Sequence, residues 1–219
     1  MGKLAASILS ADLAHLAAQV GLVEPYADVI HVDVMDGHFV PPLTIGPVVV
    51  ACLRPHTDLT LHGHLMVEGP EGLFDDLAAA GMDIVSFHIE AVDDPNPVIR
   101  KARGAGMGVG LTVSPETPVE AVYPYLDEID DVMVMSVHPG WAGQRFIPEA
   151  LGRLEAVRAE LDRRGLRTEL EIDGGVKLDN ARRCVEAGAT VLVAASAIFQ
   201  AEDVSAAARA LKAIAEGDG

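Results

Sequence analysis

The sequence predicts a single-domain parallel (β/α)8 TIM barrel over residues 1–219, and three observations carry the prediction. Short β-branched runs alternate with longer Ala-rich runs of helical period, and they do so eight times. Polar residues stand at the carboxyl ends of many different strands, where an open doubly wound sheet would gather them at one switch point. Third, no GxGxxG follows the first strand, where SILSADL stands, and no linker or low-complexity stretch divides the chain.

Taken in order, the strands are predicted at 4–9, 29–35, 59–65, 84–89, 108–113, 132–137, 168–173 and 191–195. The clearest helices are predicted at 11–23, 71–80, 119–129, 149–164, 178–187 and 204–216. Gly81, Gly165 and Gly188 stand just past three of them as C-terminal stops. Pro41-Pro42 and Asp94-Pro95-Asn96-Pro97 read as barrel loops. The polar strand ends are then Ser7, His31, Asp33, His64, His88, His138, Asp173 and Ser196.

Half the residues are hydrophobic, so a globular core is expected. With 16 Lys+Arg against 33 Asp+Glu, the formal charge of -17 repels nucleic acid and anionic membranes over most of the surface. An anionic substrate would need a local positive site. No apolar run is long enough to span a bilayer and no basic start leads into an apolar segment, so a cytoplasmic location is expected. Cys52 and Cys184 have no metal-binding spacing and are expected to be buried free thiols.

The chemistry centres on 29–41, VIHVDVMDGHFVP. Side chains alternate faces along a strand, so His31, Asp33 and Met35 share one face, and the Asp36-Gly37 turn ends the strand. An imidazole and a carboxylate at the end of an apolar strand are costly to bury without a partner, and a divalent metal is such a partner. The plainer alternative is a satisfied histidine beside a turn-capping aspartate. LTLHGHLMV places His62 and His64 on one face, and ELEIDGGV ends in Asp173 followed by two glycines. His31, Asp33, His64 and Asp173 then converge on one barrel mouth, a donor set suited to Zn, Fe(II), Mn or Co. Met35, Met66 and Met135 fall near the same mouth, either as core filler or as a shield against water. HPGWAGQ at 138–144, DGGV at 173–176 and AASAIF at 194–199 follow late strands, where loop amides can hold phosphate.

HVDVMDGHFVP, HLMV, PGWAGQRF, DGGV and SAIF, in this order and spacing, resemble the ribulose-phosphate 3-epimerase family from ASILSAD near the start to SAIF near the end. The resemblance implies one divalent metal ion held by His31, Asp33, His64 and Asp173, with Asp33 and Asp173 as the acid/base pair. It implies that Ser7 contacts substrate, and that Gly140, Trp141, Ala142, Gly143, Gly174, Gly175, Ala195 and Ser196, with His64, line the sugar and phosphate site. The implied partner is a small phosphorylated ketose, with no organic cofactor, and self-association is common in the family. This chain departs from the family at His62, where Asp is usual, at Ala6 and Pro42, and at His138, Trp141, Ala142 and Ala195 in the late loops. All four implied ligands and both carboxylates are intact.

The expected function is 3-epimerisation of D-ribulose 5-phosphate to D-xylulose 5-phosphate through an enediolate. One alternative is an epimerase of another ketose phosphate such as D-allulose 6-phosphate, with His62, His138 and Trp141 lining an altered pocket. A lyase or decarboxylase on a phosphate-binding barrel is a second; the absence of Lys from the strand-two and strand-three motifs argues against it. A non-catalytic binding protein would be expected to lose a ligand or carboxylate. His88 and Glu90 in FHIE read as structural.

Overall fold

Residues 2–217 are described in the computed structural model. Eight parallel strands close into a barrel in sequence order: β1 (Lys3–Ser7), β2 (Val29–Met35), β3 (Thr60–Met66), β4 (Ile84–His88), β5 (Gly108–Val113), β6 (Asp131–Met135), β7 (Glu169–Asp173) and β8 (Val191–Ala194). Every predicted strand is present, within about two residues at each end. Around them lie α1 (Leu16–Val23), α2 (Pro47–Leu53), α3 (Phe74–Ala79), α4 (Pro95–Gly104), α5 (Ala150–Arg164), α6 (Ala181–Glu186), α7 (Ser196–Phe199) and α8 (Val204–Ala215). None of the helices among the described residues is long and apolar enough to cross a membrane.

Strand alternation divides the side chains into two sets. Ile30, Val32, Val34, Leu61, Leu65, Val85, Phe87, Val132, Val134, Leu170 and Ile172 pack outward under the helices in one continuous core. The inward set is mixed. Barrel interiors are usually filled by branched apolar residues, and here Ala5, Val29, Val191 and Val193 do so on the β1–β8 side. From β2 to β7 the interior instead carries His31, Asp33, His62, His64, Ser86, His88, Thr112, Asp131 and Glu171, all buried. Buried polar groups on this scale require partners, and the fold supplies them in two layers, one at the mouth and one beneath it.

Three expectations for the frame are corrected. Asp94-Pro95-Asn96-Pro97 opens α4: the Asp94 side chain accepts from Asn96 N–H, and Pro95 sits in the first turn, where a missing N–H costs nothing. The 119–129 run is a 3-10 segment over Val119–Tyr125, because Pro124 removes an amide that an α-helix would need. Cys184 is buried as expected, but Cys52 is exposed on α2. Gly165 does end α5: at φ +70° its N–H bonds the carbonyls of Asp162 and Leu161. A Cβ there meets nothing, so Gly165→Ala isolates the left-handed backbone cost. We expect about 1 kcal/mol of lost stability, read from the urea midpoint.

Candidate active site

Asp33 and His64 are register partners at the carboxyl ends of β2 and β3, which brings two strand-end functional groups side by side. Asp173 closes the group from β7, three strands away around the ring through β1 and β8. His31 Nε2 lies 3.5 Å from Asp33 Oδ1 and 3.9 Å from Asp173 Oδ2, and His64 Nδ1 lies 3.4 Å from each of the same oxygens. Among the described residues neither His31 nitrogen has a hydrogen-bond partner, and nor does His64 Nδ1, although both rings are fully buried. Unpaired buried donors and acceptors are expensive. Metal–ligand bonds of about 2.1 Å at tetrahedral angles would place the donor atoms about 3.4 Å apart, so two imidazoles and two carboxylates at these spacings fit a divalent cation.

The electrostatics favour positive charge at this point. Burial opposes a proton on His64, yet the Asp173 and Asp33 carboxylates outweigh it and raise the imidazole to about 9. Burial likewise opposes charge on Asp33, but the neighbouring His31 and His64 rings hold its carboxyl well below the usual range. Asp33 is further fixed by Ser7, whose hydroxyl donates to Oδ2 at 2.7 Å, and by Thr44, whose hydroxyl donates to the Asp33 carbonyl at 2.6 Å. Ser7 therefore lines the mouth with its proton already committed to Asp33.

His88 and Glu90, read from sequence as structural, hold the site. His88 Nε2 is 2.9 Å from His64 Nε2, and His88 Nδ1 is 3.2 Å from Glu90 Oε2. Burial, reinforced by the charge on His64, lowers His88 to about 4 despite Glu90, so the ring is neutral and can accept from one side and donate on the other. His64 Nε2–H then donates to His88, and His88 Nδ1–H to Glu90, which turns His64 Nδ1 toward the carboxylates. Sequence alternation gave no sign of this, because the contact spans β3 and β4.

One cavity at the mouth is lined by Ser7, Asp33, Gly140, Trp141, Ala142, Gly143, Asp173, Gly174, Gly175, Ala195 and Ser196, together with Met35, Met66 and Met135. All the residues of the predicted sugar and phosphate site lie there except His64, which stands behind Asp33 and Asp173. The glycines after Asp173 have a structural demand of their own. Gly174 and Gly175 have φ of +118° and +63°, and a Cβ on Gly175 would lie 2.7 Å from Phe146 N, so this turn packs against the 138–146 loop. Ser136, which sequence reasoning missed, pins it by donating to the carbonyls of Asp173 and Gly174. A neighbouring groove shares Gly143, Gln144 and Gly175 with the mouth and carries Arg145, Lys177 and Arg183. That is the local positive charge an acidic protein needs for an anionic ligand.

Two residues leave the expected site. His138 points away from the barrel axis, exposed, with Nδ1 3.0 Å from Glu116 Oε1. His62 faces inward as alternation requires, but one layer below the mouth, where it lines none of the substrate cavity. It contacts Ser86 and Glu171, and Ser86 in turn donates to Asp131.

Comparison with known proteins shows the family to which the chain belongs. The model of the ribulose-phosphate 3-epimerase family matches residues 3–199. A Mycobacterium tuberculosis ribulose-phosphate 3-epimerase is 46% identical over 209 residues, 95% of this chain and 91% of that protein. Its Bacillus subtilis counterpart is 44% identical over 205 residues, 93% of this chain and 94% of that one. Among solved structures, 3-hexulose-6-phosphate synthase from Salmonella typhimurium superposes with a TM-score of 0.73 at 20% identity, covering 99% of this chain and 100% of that one. Orotidine 5'-phosphate decarboxylase from Pyrococcus horikoshii OT3 gives 0.73 at 15%, covering 98% and 99%; these two likenesses speak to the fold alone. The barrel, the intact set of carboxylates and imidazoles, and the full-length relatives together place the chain in the ribulose-phosphate 3-epimerase family, as an isomerase acting on a ketose phosphate.

Proposed function

We propose that this chain interconverts D-ribulose 5-phosphate and D-xylulose 5-phosphate, with Asp33 and Asp173 as the acid/base pair and one divalent metal ion at the mouth. The observation that carries the reading is the approach of two carboxylates, from strands across the barrel, to a single buried imidazole nitrogen, each at 3.4 Å. Inverting a carbon next to a ketone requires loss of its proton from one face and delivery of a proton to the other. One carboxylate cannot serve both faces without moving. Two, held on either side of a planar enediolate, can exchange the roles of base and acid with reaction direction.

Each residue has a task in this scheme. Asp33, kept ionised by its imidazole neighbours and oriented by Ser7, accepts or returns the C3 proton on one face. Asp173, partly open to the cavity, serves the other face. Met35, Met66 and Met135 wall the site with apolar surface and keep water from the carbanion-like carbon. Gly174, Gly175, Ala195 and Ser196 offer backbone to the phosphate, beside Arg145, Lys177 and Arg183. His31, His64, Asp33 and Asp173 would hold the ion, drawn from Zn, Fe(II), Mn or Co. When bound it supplies positive charge beside the developing oxygen anions, worth several kcal/mol.

His88→Ala is expected to weaken metal binding about 10- to 100-fold, since it removes the partner that orients His64. Competition with a chromophoric chelator measures this, and an unchanged affinity would return His88 to a purely structural role. The substrate is tested by kcat/KM for ribulose 5-phosphate beside allulose 6-phosphate. Preference for the pentulose is expected; preference for the hexulose would reassign the substrate and make Trp141, Ala142 and Ala195, which line the mouth, the determinants to examine.

A further inference from the structure

The layer beneath the mouth holds a cluster that the epimerase reaction does not use. The Ser86 hydroxyl donates its single proton to Asp131 at 2.8 Å, so His62 Nε2, 2.7 Å from the same hydroxyl, must be the N–H donor to it. That fixes the tautomer, and in the neutral ring His62 Nδ1 presents a lone pair. It presents it to Glu171 Oε1 at 3.3 Å. Glu171 and Asp131 favour a positive centre at this point, and either a proton on His62 or a metal ion can supply it. A charge-assisted N–H···O bond would draw them to roughly 2.7–2.9 Å, whereas the observed spacing is close to the about 3.4 Å separating ligand atoms around a tetrahedral metal. Glu171 Oε2 and His31 Nδ1 are also without hydrogen-bond partners among the described residues, on side chains buried to 3% and 0% exposure. One donor atom each from His31, His62 and Glu171 lie within 4.8 Å of one another.

We propose that His62, Glu171 and His31 form a second divalent-cation site in the barrel floor, sharing only His31 with the group at the mouth. Two imidazoles and a carboxylate favour Zn²⁺ or Co²⁺ over the harder Mg²⁺ and Ca²⁺. The opposite end of the barrel gives access to it. A cavity of about 130 Å³ opens among the strand beginnings and is lined by Lys3, Asp28, Asp130, Asp131, Glu169, His62 and Glu171, among others. Its carboxylates outnumber Lys3, although Lys212 and Arg103 pair Asp28 and Asp130 from outside the lining. A cation entering by this route does not cross the substrate mouth. The room is made by sequence: the Asp131 carboxylate occupies the place that a Cβ on Gly110 would take.

The test is zinc stoichiometry with anomalous diffraction on the full chain. The expected result is two Zn²⁺ per chain in the wild type, with one anomalous peak at His62 and Glu171 and another at Asp33 and Asp173. In His62→Leu, one ion and the mouth peak alone should remain. One ion per chain at saturating zinc with no peak at His62, or a second peak elsewhere, overturns the proposal and leaves His62 and Glu171 as a buried ion pair. If His62→Leu does not fold, the wild-type peak positions decide by themselves. Because the two positions are read separately, failure of the mouth site to bind zinc would not obscure the result in the floor.

Discussion

Asp173→Asn is expected to lower turnover of ribulose 5-phosphate by about 10²- to 10⁴-fold, with the thermal midpoint within a few degrees of wild type. Asn keeps the shape of Asp and can still present an oxygen to the neighbouring imidazoles, so the mouth should stay assembled. What it lacks is the ability to take or give the C3 proton. Asp173 is partly open to the cavity, so its replacement leaves no fully buried unpaired charge and the barrel should fold. The variant would also bind metal less tightly, and the two effects separate on titration. Excess Zn²⁺ or Co²⁺ restores a variant whose only fault is affinity, and it should not restore this one. Recovery of wild-type turnover at saturating metal would remove Asp173 from the proton-transfer pair.

Stripping the metal with a chelator is expected to reduce epimerisation by about 10³-fold, the equivalent of some 4 kcal/mol at about 1.4 kcal/mol per tenfold. The loss follows from the charge balance at the mouth. Asp33 and Asp173 bring two carboxylates against two imidazoles in a buried layer, and proton abstraction by one of them moves its negative charge onto the substrate oxygens beside the other. Without a compensating cation that charge is opposed by the remaining carboxylate. Restoration by Zn²⁺, Co²⁺ or Mn²⁺ should rank the metals. Full activity in a sample shown by elemental analysis to be metal-free would refute the metal-dependent reading.

The mouth was legible in the sequence because strand alternation has a period of two and tolerates no ambiguity of face. His31 with Asp33, His64 and Asp173 all project inward as the pattern requires. Depth is a different quantity. It depends on register and on the stagger of strands around the closed barrel, and that is why His62, correctly placed on the inward face, lies in the floor beside Glu171 and not in the substrate pocket. Cross-strand partners were hidden for the same reason: nothing local to FHIE says that His88 meets His64, or that Ser136 ties down the turn after Asp173. Proline misled twice in opposite directions. Asp94-Pro95 begins a helix where the prolines read as a loop, and Pro124 prevents the α-helix that the apolar period predicts over 119–129. The positive groove is not legible in the sequence because Arg145 stands far from Lys177 and Arg183, and joins them only when the loop after β6 packs against the turn after β7 and the start of α6.

The most direct test of the account is deuterium incorporation at C3 of ribulose 5-phosphate in D₂O, followed by NMR on metal-loaded enzyme. Two carboxylates working through an enediolate predict that solvent deuterium enters C3 as xylulose 5-phosphate forms, and that Asp173→Asn suppresses both together. Epimerisation without solvent deuterium at C3, or the absence of both exchange and epimerisation in wild-type enzyme, would contradict it.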